Sequence, residues 1–287
     1  MPKSILVISY VNETDNCSLK KAHHVANPLG AEIDVVRFIK SNGSEQPNEV
    51  SVANQTSLLS NAIAEVFADY EHQDAIKSQV VVTDNIVSWV INYCEGNKFD
   101  LIVKAGNRTE SLFHTPCDWE LIRSLEVPVL IACQQCWRSK PSVLAALDTS
   151  VSTGPRRKLN NEILKWAKKW STAFSCDIHL VYSFPVSNIL KELDIVDVKD
   201  YAREHRAEGE ALLAELIDGH DLPNVKMHIT AGVPEKSIPQ CANKVKAEVV
   251  IMGSMGHKGL KGMLTGNIAE KVMHNLRTDS LTIQVKD

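Results

Sequence analysis

The sequence predicts two tandem α/β domains, each a doubly wound, mostly parallel five-stranded sheet with helices on both faces. Three observations carry this. Asp100-Leu101-Ile102-Val103 is matched 148 residues later by Glu248-Val249-Val250-Ile251, and Thr115 and Glu120 are matched 150 residues later by Thr265 and Glu270. Short apolar runs alternate with amphipathic stretches in both copies, the pattern of parallel strands buried on both faces by intervening helices. A chain of 287 residues has room for two domains at the usual size of about 100–200 residues each.

In the first copy the apolar runs predict strands near 4–10, 31–38, 79–83, 100–104 and 128–133. In the second they predict strands near 142–147, 177–183, 225–230, 249–252 and 280–285, with helices over 156–174, 198–218, 234–245 and 267–276. The first of these helices has the clearest signal: Ile163, Trp166, Ala167 and Trp170 fall at i, i+3, i+4 and i+7 and define one apolar face. Upstream, Ile5–Ile8 parallels Val143–Ala146; downstream, Val127–Ile131 parallels Thr278–Thr282. Gln134–Pro141 is a short polar linker, which places the domain boundary between 1–137 and 138–287 and predicts copies that pack closely.

Composition bounds the function. Apolar residues make up 44% of the chain, enough for ordinary soluble cores. The net charge of −4 is uneven: residues 1–137 carry 10 Lys and Arg against 17 Asp and Glu, and the remainder carries 21 against 18. An anionic ligand therefore belongs with the second half, unless the asymmetry serves only attraction between the halves. Neither half is basic enough for general nucleic-acid binding. The amino terminus runs into Ile5-Leu6-Val7-Ile8 with no leader pattern, and no apolar stretch approaches the roughly 20 residues of a membrane span. Seven scattered cysteines in such a chain fit reduced thiols and a cytoplasmic location. Cys133 and Cys136 form half a metal site at best, His23 and His24 point in different directions on a helix, and Cys176 and His179 should face opposite sides of a strand. No metal is expected.

The stretch with chemical content is the tail. Val249–Met252 reads as a buried strand, Gly253 and Gly256 follow, and Gly266-Asn267 precedes the helix from Ile268. A strand ending in glycines that feeds a helix N-terminus suits phosphate, because backbone N–H groups approach closely and the helix end supplies unpaired donors. The spacing is neither a P-loop nor Gly-x-Gly-x-x-Gly. It resembles the nucleotide loop of the universal stress protein family, Gly-x2-Gly-x9-Gly-Ser/Thr, with Asn267 in place of the hydroxyl residue. Phe113-His114-Thr115-Pro116-Cys117-Asp118-Trp119, together with Gly266-Asn267, is similar to the tandem, two-domain members of that family.

The resemblance implies an adenine nucleotide alpha hydrolase-like fold with strand order 3-2-1-4-5, and domains paired through their last strands as an intrachain pseudo-dimer. A further homodimer is left open. It also implies a site for ATP or another adenine nucleotide in the second copy, at Ala146, Leu147, Asp148, Ser183, Met252, Gly253, Gly256, His257, Gly266, Asn267 and Ile268. Tyr182-Ser183 would line the adenine pocket. Each residue also has a purely structural role open to it: Asp148 as a turn cap, the glycines as a tight turn, His257, Lys258 and Lys261 as a solvated loop face. Asn267 with Glu270 has the spacing of a helix cap paired with an N3 acid.

In the first copy Tyr10 stands where Asp148 stands, Ala105 near the place of Gly253, and Pro116 replaces Gly266. Thr115-Pro116-Cys117-Asp118 reads as a helix start, with Pro at N1 and an acid at N3. That copy is expected to be a degenerate domain, with Trp119 serving packing. No nucleophile–base motif occurs. Together with this thin catalytic inventory, the resemblance implies a non-enzymatic, cytoplasmic stress-response protein whose second domain binds an adenine nucleotide weakly. An ATP-hydrolysing enzyme on the same fold, with Asp148 as its one obvious carboxylate, and a scaffold for an apolar or acyl molecule both remain open.

Overall fold

The computed structural model describes residues 3–40, 49–106, 116–133, 141–149, 154–186, 197–254 and 268–285. The chain divides into two compact units, Met1–Gln134 and Gln135–Asp287.

The first unit alternates β1 (Ser4–Tyr10), α1 (Cys17–Ala26), β2 (Glu32–Lys40), α2 (Glu49–Val66), β3 (Ile76–Thr83), α3 (Ile86–Gly96), β4 (Leu101–Ala105), α4 (Pro116–Ser124) and β5 (Val129–Ala132). Its strands run parallel in the order β3-β2-β1-β4-β5. Ile5, Leu6, Val7 and Ile8 are all fully buried, as a central strand covered on both faces requires. Asn85 caps α3 by accepting the Ser88 amide at 2.9 Å. Pro116 opens α4, where its missing N–H costs nothing. The apolar signal starts β3 near residue 79, but pairing with β2 begins at Ile76. Lys77 and Ser78 are exposed on this edge strand, so they dilute the apolar pattern.

The second unit repeats the plan: β6 (Ser142–Ala146), α5 (Pro155–Phe174), β7 (Asp177–Phe184), α6 (Val198–Glu204), α7 (Arg206–Ile217), β8 (Val225–Ala231), α8 (Pro234–Val245), β9 (Val249–Gly253), α9 (Ile268–Asn275) and β10 (Asp279–Ile283). Its strands are parallel in the order β8-β7-β6-β9-β10. Both units thus have the order 3-2-1-4-5. Ile163, Trp166, Ala167 and Trp170 of α5 are all buried. The single helix expected over 198–218 is two: the chain leaves helical geometry at His205 (φ −94°, ψ 13°), whose ring stacks on Tyr201 at 4.0 Å. Among the described residues no helix is long and apolar enough to cross a membrane.

In each unit the chain leaves the first strand toward one edge and the fourth toward the other. The carboxyl ends of those two strands frame the switch point at which open α/β sheets hold ligands.

Candidate functional site

In the second unit the switch point lies between β6 and β9. The β6 ladder closes with the Leu147 amide donating to the Val181 carbonyl at 3.0 Å. Asp148 comes next and has no strand partner for its backbone. Asn160, 2% exposed on α5, supplies one. Its Nδ2 donates to the Asp148 carbonyl at 2.7 Å and its Oδ1 accepts the Asp148 amide at 3.2 Å. Bonded through both its oxygen and its nitrogen, this buried amide fixes the position of the strand end. The Asp148 carboxylate is about half exposed and meets Arg156 Nη1 at 3.1 Å.

The end of β7 brings Tyr182 and Ser183. The Ser183 hydroxyl donates to the Gly232 carbonyl at 3.2 Å and accepts from Ser237 Oγ of α8 at 2.8 Å, so its hydrogen bonds tie β7 to α8. The end of β9 brings Met252 and Gly253. A Cβ on Gly253 would collide with the Leu159 side chain of α5. This glycine is thus required where helix and strand approach closely, whatever binds nearby. From α9, Ile268 is 56% exposed and Ala269 is buried.

These strand ends, α5 and α9 surround a cavity of about 620 Å³, a size typical of small-molecule sites. Seven of the expected site residues line it: Ala146, Leu147, Asp148, Ser183, Met252, Gly253 and Ile268. Gly256, His257, Gly266 and Asn267, with Lys258 and Lys261, lie outside the described residues. Leu159, Ile163, Val181, Ile238 and Val272 make much of the wall apolar, and Arg156 and Lys271 add cationic groups. Arg156, Asn160 and Lys271 were not singled out from the sequence. Asn160 left a signal there, since it is a polar residue on the buried stripe beside Leu159, Ile163 and Leu164. Arg156 lies one turn before it.

In the first unit the side chains at the matching positions contact one another. Lys104 in β4 and Asp118 in α4 are 1% and 0% exposed and pair at 2.5 Å. Lys104 Nζ also donates to the Ala105 carbonyl at 3.0 Å and lies 4.8 Å from the Tyr10 ring centroid. The Tyr10 hydroxyl lies 3.6 Å from Cys117 Sγ. Burial, then the Cys117 sulfur, pushes the Tyr10 phenol well above its ordinary pKa. By the repeat, Tyr10, Lys104 and Asp118 stand where Asp148, Met252 and Ile268 line the cavity of the second unit. Asp118, read from the sequence as the N3 acid of a helix start, is a buried partner of Lys104. Trp119 is half-buried in α4.

Elsewhere in the second unit, His179 Nδ1 and His228 Nε2 lie 2.7 Å apart with their rings stacked at 5.0 Å. Cys176, three residues before His179, is buried, and burial pushes its thiol up to about 11. Among the described residues no group of three or more His, Cys, Asp or Glu side chains is placed to hold a metal ion.

Residues 157–284 match the sequence profile of the Universal stress protein family. Over nearly the whole chain the protein is similar to Universal stress protein E of Photorhabdus laumondii, with 25% identity covering 98% of this chain and 95% of that one. The Universal stress protein E of Escherichia coli K12 is also 25% identical, over 99% and 94%. Among solved structures, a putative universal stress protein from Pseudomonas aeruginosa superposes with a TM-score of 0.70 at 22% identity, covering 99% of this chain and 93% of that one. A universal stress protein from Archaeoglobus fulgidus gives 0.67 at 19%, covering 99% and 97%. The structural likenesses show the fold: parallel α/β units in a chain of two-domain size. Residues 157–284 are thus a domain of the Universal stress protein family, in a tandem-sized chain that resembles Universal stress protein E along nearly its whole length.

Proposed function

We propose that the chain is a non-enzymatic, cytoplasmic stress-response protein whose second domain, 138–287, binds an adenine nucleotide weakly, and whose first, 1–137, has given up that site. The observation that carries this is the cavity of about 620 Å³ at the second unit's switch point. Its apolar wall suits a base. The Asp148 carboxylate accepts from a hydroxyl or an amine. The N-terminus of α9 is the place for phosphate. The residues between Gly253 and Ile268, with their family-like glycine spacing, connect those features in sequence. In the first unit the residues at the matching positions, Tyr10, Lys104 and Asp118, contact one another instead.

Titration calorimetry of the full chain with ATP tests this. One weak site per chain is expected, lost in Gly256→Val, where a branched side chain blocks close backbone approach to phosphate. Two sites per chain would refute the asymmetry, and unchanged binding by the variant would refute the loop's role. Phosphate release during the same incubation would favour the hydrolase. The apolar wall also supports a scaffold for an acyl chain. Native mass spectrometry of the purified protein separates that case, since a retained acyl species would displace the nucleotide reading.

A further inference from the structure

The rim of the second unit's cavity holds an acid and a base that are paired with one another. Asp148 Oδ2 and Arg156 Nη1 are 3.1 Å apart, and both residues line the cavity. The two differ in how they are held. Asp148 is anchored by its backbone: the Asn160 amide takes both its N–H and its carbonyl, and the preceding residue is the last of the β6 ladder. Arg156 lies in the first turn of α5, behind Gly154, whose φ is +66°, and its side chain is 45% exposed. The Asp148 backbone is thus fixed by the fold, whereas Arg156 carries its guanidinium on a long, half-exposed side chain. An ionised carboxylate only accepts and a guanidinium only donates. A ligand hydroxyl or amine at Asp148 must compete with Arg156. A ligand anion gives the displaced guanidinium a better, bidentate partner.

We propose that Arg156 is a specificity-determining residue of this cavity. It blocks Asp148 against ligands that bring only a donor, and it exchanges Asp148 for the anionic group of ligands that bring both. The selected class is a phosphorylated nucleoside over the bare nucleoside. This rests on the nucleotide reading above. Exposed ion pairs contribute about 0.2–1 kcal/mol, so the discrimination Arg156 supplies in each direction is about 1.4- to five-fold.

The experiment is a crossed titration at low ionic strength, where screening is least. Adenosine and ATP are each titrated into the full-length protein and into Arg156→Gln, with circular dichroism confirming that the variant is folded. The variant should bind adenosine about 1.4- to five-fold more tightly, because Asp148 is relieved of a competing cation, and bind ATP more weakly by a similar factor. Arg156→Lys, which keeps the charge and loses the planar fork, should fall between the two for ATP. Affinities that shift in the same direction for both ligands, or for neither, would overturn the role of Arg156 while leaving the nucleotide site standing. Wild-type protein that binds neither ligand would bring down the nucleotide reading and this inference with it.

Discussion

The two units share a fold and strand order, yet they treat the ends of their first and fourth strands in opposite ways. In the second unit, Asp148, Met252 and Ile268 border a cavity. In the first, Tyr10, Lys104 and Asp118 at the corresponding positions close on one another as an ion pair under an aromatic ring. If the cavity is the nucleotide site proposed above, the difference shows how one copy of a repeat gives up a ligand site and keeps its fold. These residues sit at the carboxyl ends of the first and fourth strands and in the first turn of the helix that follows, so their side chains can change while the rest of the buried ladder is kept. Pairing Lys104 with Asp118 leaves neither as a lone buried charge.

The largest effect should come from breaking that pair. Lys104→Met removes a cation beside a fully buried carboxylate, and losing one member of a buried pair costs about 3–5 kcal/mol. Restoring apolar partners on both sides, as Lys104→Met with Asp118→Ile, introduces the residues of the second unit and should recover most of that loss. Urea denaturation of the single and double variants measures it. A double variant as unstable as the single would mean that Lys104 and Asp118 act on separate neighbours, and the account of a self-paired site would fail.

A smaller effect separates the units at their fourth strands. Gly253 of β9 faces Leu159, whereas Ala105 of β4 is buried with Cys17 and Ala132 and tolerates a methyl group. Gly253→Ala should cost about 1–3 kcal/mol, the usual range for overpacking. Combining it with Leu159→Ala should reduce the added cost, because the colliding atoms are gone. Thermal melts of the four proteins in that cycle give the coupling. An additive result would mean that Gly253 is needed for some other reason, and approach of a ligand would then be the better account.

Much of this was legible in the sequence, for identifiable reasons. Apolar runs such as Ile5–Ile8 and Val249–Met252 are buried on both faces, and the stripe through Ile163, Trp166 and Trp170 has one period, so local pattern and tertiary burial agree. Asp148 and Gly253 could be singled out because strand ends are where ligands gather. The pairing of Lys104 with Asp118 was not legible. A lysine in a strand and an aspartate in a first helical turn each have an ordinary solvated role, and only the fold brings them together from 14 positions apart. The break at His205 was hidden because helical residues continue on both sides of it. Arg156 was hidden because an arginine in a helix's first turn usually faces water.

The smallest predicted effect lies at the far edge of each sheet. Where β7 and β8 carry His179 against His228, the matching positions of β2 and β3 carry Asp34 and Gln79, and the Tyr93 hydroxyl donates to Asp34 at 2.5 Å. The histidines lie near Lys226, Lys244 and Arg206, with Asp177 already bound to Lys226. Burial, followed by the neighbouring His179, lowers His228 from its ordinary value near 6.5 to about 4, and burial lowers His179 as well. The folded state therefore favours the neutral rings. Above pH 6.5 neither state binds the extra proton and stability is full. As pH falls toward 4 the unfolded chain takes up protons first, so stability is lost across that window. Partial exposure limits the loss to about 1 kcal/mol, and it should be confined to the second unit. Hydrogen exchange at pH 7 and pH 5 should therefore show β8 opening more on acidification while β3 changes little, and His228→Gln should remove most of the difference. Equal acid sensitivity of β3 and β8 in the wild type would assign the effect to charges common to both units rather than to this pair.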